Sequence, residues 1–284
     1  FDFFRNDITR LLGYASTSPL AIYETRPING GHYYRRGWEL MVDTKNLVGE
    51  FTWDTSLTFS KTNSFWKERL PNYDYQIYQQ RENEPMSAYY YYNVTGIINT
   101  DRSNMPESQK TLQAEAQLPG CPIIEDKNKD GKIDENDVYM KDNSPAIYVG
   151  IGNTFTYKRF EFSFFMYGQF GIQKYNIAYS AAQAGPLAVD YPENSNKFAY
   201  RLWNSQTNPN GSRPGLAIGK MGALPGNAWV NADRENASFM RMRNITLAYN
   251  LAGNILGSLQ RYVRNIKVYV DAQNPFILTK FQGF

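Results

Sequence analysis

The sequence predicts an all-β chain: antiparallel strands of a transmembrane β-barrel, with short turns at one end and long loops at the other. Strict alternation of apolar and polar residues recurs in segments of about ten residues, the length a tilted membrane strand needs. Connections divide sharply by length, and if strands alternate in direction, every long one falls at the same end. Aromatic content is 15%, with 22 Tyr and 17 Phe, which suits interfacial aromatic girdles.

The opening segment, Phe1 to Leu11, alternates weakly. Gly37 to Asp43 follows, with Trp38, Leu40 and Val42 on its apolar face. The clearest alternation runs from Phe51 to Ser60, where Phe51, Trp53, Thr55, Leu57 and Phe59 oppose Thr52, Asp54, Ser56, Thr58 and Ser60. Ile147 to Tyr157 and Phe160 to Gln169, joined by Lys158-Arg159, read as a tight hairpin. Arg243 to Leu251 and Ile266 to Gln273 complete a set of about seven strands. Asn63 to Pro145 and Phe170 to Ala237 are long, polar and rich in Gly, Pro, Asn and Tyr, and compact soluble domains rarely contain such loops. Alternating directions send Phe51 to Ser60 outward and end the chain near an outer rim, so the reading expects one further inward strand beyond this segment.

Other classes are disfavoured by composition. Mean hydropathy is −0.56 and no apolar run reaches the length of a membrane helix, whereas a barrel strand is apolar only at alternate positions. A net charge of +3 with no basic stripe gives no reason to expect nucleic acid. Cys121 and His32 are the only residues of their kinds, which excludes an internal disulfide and a zinc cluster, and both read as structural residues. Motifs for a nucleophile elbow, a zinc protease or a P-loop are absent, so the chain is read as a non-enzyme.

Two features carry ligand chemistry. Asp126 to Asp137 fits the calcium-loop pattern D-x-N-x-D-G-x-I-D-x-x-D. Calcium wants six to eight oxygens; Asp126, Asn128, Asp130, Asp134 and Asp137 supply side-chain oxygens, Lys132 a backbone carbonyl, and Gly131 the sharp turn. The alternative is a polar turn that needs no metal. Trp66, Tyr91, Trp203 and Trp229 lie in the long loops or just beyond strand ends, where rings could stack on cargo; the alternative is girdle and loop packing. On the polar face, Glu39, Asp54, Glu161 and Gln169 could line a route or meet a plug. Arg241 and Arg243 share the parity of Ile245 and Leu247, which places them on the lipid face near the outer rim.

Several stretches resemble the C-terminal barrel of SusC/RagA-type TonB-dependent transporters. Arg36-Gly37-Trp38-Glu39-Leu40 is similar to that family's N-x-G-x-E-L strand, with Arg35-Arg36 departing from it. Asp126 to Asp137, then Pro145 with Tyr148-Val149-Gly150, then Tyr157 to Ser163, resemble its D-x-N-G-D-G-x-I-D, P-x-x-x-x-G and Y-K-x-F-D-L-S succession. Phe239 to Tyr249 resembles F-L-R-L-K-N-I-T-L-G-Y, and Val268 to Phe276 with Thr279 to Gly283 resembles V-Y-V-S-A-Q-N-L-F and T-K-Y-x-G. The resemblance implies a barrel of about 22 strands, with residues 1–284 supplying part of it and the plug and last strand lying elsewhere. It further implies TonB-driven import of a glycan or peptide across the outer membrane of a Gram-negative, Bacteroidota-like bacterium, with a SusD-like lipoprotein, TonB and outer-membrane lipid as partners. Two rivals remain open: a soluble, calcium-containing carbohydrate-binding β-sandwich, and a β-rich glycosidase with paired carboxylates.

Overall fold

The fold is that of a computed structural model, which describes residues 1–16, 25–70, 75–79, 83–178, 197–215, 218, 221–222, 224–251, 257, 261–263 and 265–282. Its strands are β1 (Asp2–Ser16), β2 (Thr25–Leu47), β3 (Phe51–Glu68), β4 (Ala88–Tyr92), β5 (Val94–Ile97), β6 (Pro122–Ile124), β7 (Tyr139–Asp142), β8 (Ile147–Tyr157), β9 (Phe160–Phe170), β10 (Gln173–Tyr175), β11 (Trp229–Val230), β12 (Arg234–Asn236), β13 (Phe239–Leu251) and β14 (Ile266–Thr279). A seven-stranded sheet takes the order β1-β2-β3-β8-β9-β13-β14, every pair antiparallel. The seven expected strands are these seven. Most of the connection from Ala252 to Asn265, expected to be a moderate turn, lies outside the described residues.

Register explains why the alternation is so clean. Opposed residues in a ladder share a face, and Leu57, Ile151, Met166 and Met242 form one continuous row. Trp53, Phe155, Phe162, Leu247 and Val270 form another. On the opposite face run Asp54, Thr154, Ser163, Thr246 and Asp271. The apolar face is bare: Phe160 is 53% exposed, Leu247 52% and Val270 74%. In a β-sandwich a second sheet would cover that face, and none does so among the described residues. Near the Lys158-Arg159 turn it carries an aromatic band, with Phe155 against Phe51, Trp53 and Phe162 at 5.7–6.3 Å and Phe160 on Tyr249 at 4.7 Å. One polar row crosses it and satisfies itself. The Asn153 amide oxygen accepts from Trp53 Nε1 (2.8 Å) and Thr55 Oγ1 (2.7 Å), while Asn46 donates to Thr55 Oγ1 (2.7 Å).

The placement of Arg241 and Arg243 needs correction. A bulge between Met242 and Asn244 breaks the register of β13 against β9. Arg243 is the extra residue, so parity reverses there: Met242 shares a face with Ile245, and Arg241 pairs with Tyr167 on the polar face. Arg241 therefore stands over Phe239 (5.8 Å) on the polar side and does not face lipid.

The long connections also differ from the expected polar loops. Tyr78, Tyr92, Ile98, Leu112, Cys121, Ile124, Val138, Met221 and Leu224 belong to one buried cluster that draws on both connections. The two therefore fold together as a cap. β4 lies between β11 and β7, β5 pairs with β6, and β10 pairs with β12. Tyr92 Oη donates to the carbonyls of Asp134 (2.9 Å) and Pro225 (3.0 Å), and the Gly215 amide donates to the Gly120 carbonyl (2.8 Å), tying one connection to the other.

Candidate functional site

The cap is fastened to the sheet where β3 outruns β8. Ladder pairing of β3 with β8 ends at Ser60, but pairing with β2 continues to Glu68. The freed edge of β3 takes new partners: Trp66 N donates to the Glu84 carbonyl and Met86 N to the Ser64 carbonyl, both at 2.8 Å. Trp66 thus lies inside a strand, not beyond its end as expected. Alternation gives no sign of this, because Lys61 to Ser64 leave the apolar pattern while the hydrogen bonding carries on. Beneath this edge the Glu84 side chain is fully buried, receiving Arg69 Nη2 on one oxygen and the Tyr90 hydroxyl on the other. Arg69 lies over the rings of Tyr75 (5.0 Å) and Trp66 (5.6 Å).

The four expected ring positions are not gathered into one site. Tyr91 stacks between Tyr89 (5.3 Å) and Tyr139 (5.8 Å), and its backbone pairs in parallel with Trp229. Trp203 lies elsewhere, on a cleft of about 600 Å³ that it shares with Asn99, Asn104, Asn210 and Ser212. Of the polar-face residues, Glu161 holds Lys267 through both oxygens at 2.9 Å, and Asp54 lines a hollow of about 460 Å³ with Asp43, Ser56, Thr154 and Phe165.

In the loop from Asp126 to Asp137 the carboxylates bind their own backbone. Asp126 accepts from the amides of Asp130 (3.2 Å) and Gly131 (2.9 Å), and Asp130 accepts from that of Lys132 (3.1 Å). Gly131, at φ +88°, makes the turn that only glycine enters freely. Asp137 is fully buried and accepts from Lys127 N (2.9 Å) and Asp134 N (2.8 Å), which closes a capping box. The Lys132 ammonium lies 3.4 Å from Asp134 and 3.9 Å from Asp130. Among the described residues no three acidic, His or Cys side chains cluster as a cation cage. Each carboxylate has about four lone-pair sites, so these bonds leave acceptor capacity unused.

A pocket absent from the sequence reading lies under the Tyr run. Tyr78, Tyr89, Tyr90, Tyr175 and Gln79 enclose about 360 Å³ with Arg234, whose guanidinium lies 3.4 Å from the centre of the Tyr89 ring. Burial lowers the Arg234 pKa. In the sequence Arg234 is one basic residue in an aperiodic loop, so no pattern marks it.

Comparison with known proteins agrees with this architecture. No protein-family model matches the chain. Among curated proteins, TonB-dependent receptor P3 of Formosa agariphila is 25% identical over 269 residues, covering 90% of this chain and 25% of the relative. TonB-dependent receptor SusC of Bacteroides thetaiotaomicron is 26% identical over 263 residues, covering 90% and 24%. In fold, a chain of the RagAB peptide importer in its closed-closed state superposes with a TM-score of 0.69 at 16% identity, covering 99% of this chain and 30% of that one. A structure of the RagAB peptide transporter gives 0.68 at 17% identity, with 99% and 29% covered. The chain spans about a quarter of the length of the curated relatives it matches. By sequence and by fold, this chain is a stretch of antiparallel β-barrel that resembles the SusC-like TonB-dependent receptors.

Proposed function

We propose that the complete protein carrying this chain imports a glycan or a peptide across the outer membrane of a Gram-negative, Bacteroidota-like bacterium. Energy reaches it through TonB, and a SusD-like surface lipoprotein works with it. The observation that carries this reading is the sheet itself: one bare apolar face for lipid, one polar face for a lumen, and the co-folded connections all at one end. Similarity to receptors named TonB-dependent supports the energy source, and the fold shared with the RagAB peptide importer supports a peptide as one of the two cargo classes. This chain's part is wall and outer cap, with no catalysis. The test is growth or uptake in the native host on candidate oligosaccharides and oligopeptides, with the receptor gene intact, deleted, or intact in a strain lacking TonB. Uptake that needs the receptor but not TonB refutes the energy source, and uptake that needs neither refutes the reading.

The loop from Asp126 to Asp137 is assigned to calcium on the same footing, with Asp126, Asn128, Asp130, Asp134, Asp137 and the Lys132 carbonyl as the ligand set and Lys132 Nζ turning out to solvent on binding. Calorimetric titration of the full receptor with calcium, against Asp130→Ala, checks this. Equal heats from both proteins remove the assignment.

A further inference from the structure

We propose that the pocket around Arg234 binds the carboxylate of an acidic saccharide, a uronate ring. Arg234 is a half-buried cation with no carboxylate partner among the described residues. The neighbouring Glu235 is committed to Arg213 (3.2 Å) and to the Asn176 amide (3.0 Å). Arg234 is held by its face alone, stacked 3.4 Å from the Tyr89 ring centre. Stacking leaves the edge of the guanidinium free, and that edge carries the donors that take a carboxylate in bidentate fashion. A cation withdrawn from water without an anion is costly. An anionic ligand would remove the cost.

The walls state what should carry the carboxylate. Three of the four Tyr hydroxyls are engaged: Tyr78 donates to the Gly226 carbonyl (2.5 Å), Tyr89 to Gln173 (2.6 Å) and Tyr90 to Glu84. The pocket therefore presents ring faces and edges, suited to the C–H face of a sugar. β4 bonds β7 along Ala88 to Tyr91 but β11 only at Tyr91 and Tyr92, so among the described residues just the short stretch up to Tyr90 is unpaired on the β11 side, too little for the main-chain ladder that a peptide groove supplies. A volume of about 360 Å³ accommodates a sugar unit with its neighbour entering from solvent. This deepens the import reading by naming a cargo class, and it rests on that reading only for the origin of the ligand.

The test uses the full receptor in detergent and three probes: a di-uronate, its methyl ester, and a tripeptide with a free C-terminus, titrated by calorimetry. The di-uronate should bind at least about tenfold more tightly than its ester. Arg234→Gln should abolish that preference, and Arg234→Lys, which keeps the charge and loses the fork, should restore it only in part. The ester comparison needs no variant, so a folding defect in either leaves the test intact. Equal binding of ester and acid overturns the proposal, as does an undiminished preference in Arg234→Gln or binding of the tripeptide alone. TonB-dependent uptake that survives such a result would leave the import reading standing.

Discussion

The buried pair of Arg69 and Glu84 yields the most quantitative prediction. Glu84→Ala removes a carboxylate whose side chain is fully buried, and strands the Arg69 guanidinium, which keeps 21% of its surface exposed. Breaking a buried pair from one side costs roughly 3–5 kcal/mol. Arg69 can turn partly to solvent and retains its ring contacts with Trp66 and Tyr75, so the cost falls below that range, to about 2–3 kcal/mol. The loss should be local, because neither residue contributes to the seven-stranded ladder below Ser60. Hydrogen exchange at the amides of Trp66 and Met86, which bridge β3 to the cap, reads it directly. Exchange should quicken roughly 30- to 160-fold while the barrel's unfolding midpoint stays put. Glu84→Gln, whose one carbonyl oxygen can still take Arg69 while its NH2 meets the Tyr90 hydroxyl turned round to accept, should cost less, about 1 kcal/mol. The double variant Arg69→Met/Glu84→Leu should recover most of the stability, since a packed apolar pair often replaces a buried ion pair without loss. Unchanged exchange in Glu84→Ala, or a double variant as damaged as the single, would refute the reasoning.

Three further outcomes follow from the fold. Ile245→Arg, on the lipid face near mid-strand, should destabilise the full barrel in phospholipid vesicles by about 2–4 kcal/mol in urea unfolding, whereas Ser163→Arg on the polar face should cost far less. Deleting Arg243 removes only the bulge residue and leaves every other side chain of β13 on its present face, so folding yield on heat-modified gels should hold, while deleting Thr246 reverses parity and should abolish it. Cys121 is fully buried and its thiol is pushed up to about 11 by burial. The native protein should resist thiol reagents at pH 8, and because the unfolded chain releases this proton first, cap stability should fall as pH rises from about 9 towards 11.

What the sequence discloses follows from which forces leave a periodic trace. The hairpin Ile147–Tyr157 with Phe160–Phe170 is legible almost to the residue, because lipid on one side and water on the other impose a period of two. Beyond the bilayer that contrast ends, so the continuation of β3 through Trp66 is silent, though its ladder with β2 is not. The bulge at Arg243 is silent for another reason: one inserted residue inverts every parity upstream, and the sequence shows only that Arg241 and Ile245 share an odd number. The cap core is aperiodic, built from residues far apart such as Tyr92, Val138 and Leu224. Arg234 meets Tyr89 across the cap only once both connections have folded. The Asp126 to Asp137 loop was legible as a turn, since Asp-Asn-Gly spacing encodes its amide-to-carboxylate bonds locally.

The central claim is that the two faces of the sheet meet different solvents, and site-directed spin labelling of the full receptor in lipid tests it most directly. With Cys121→Ser as background, labels at Phe162, Leu247 and Val270 should relax with oxygen dissolved in the bilayer and ignore a water-soluble nickel chelate. Labels at Ser163, Thr246 and Asp271, their neighbours on the same strands, should show the reverse. Nickel-accessible labels at Phe162, Leu247 and Val270 would contradict a lipid-facing sheet.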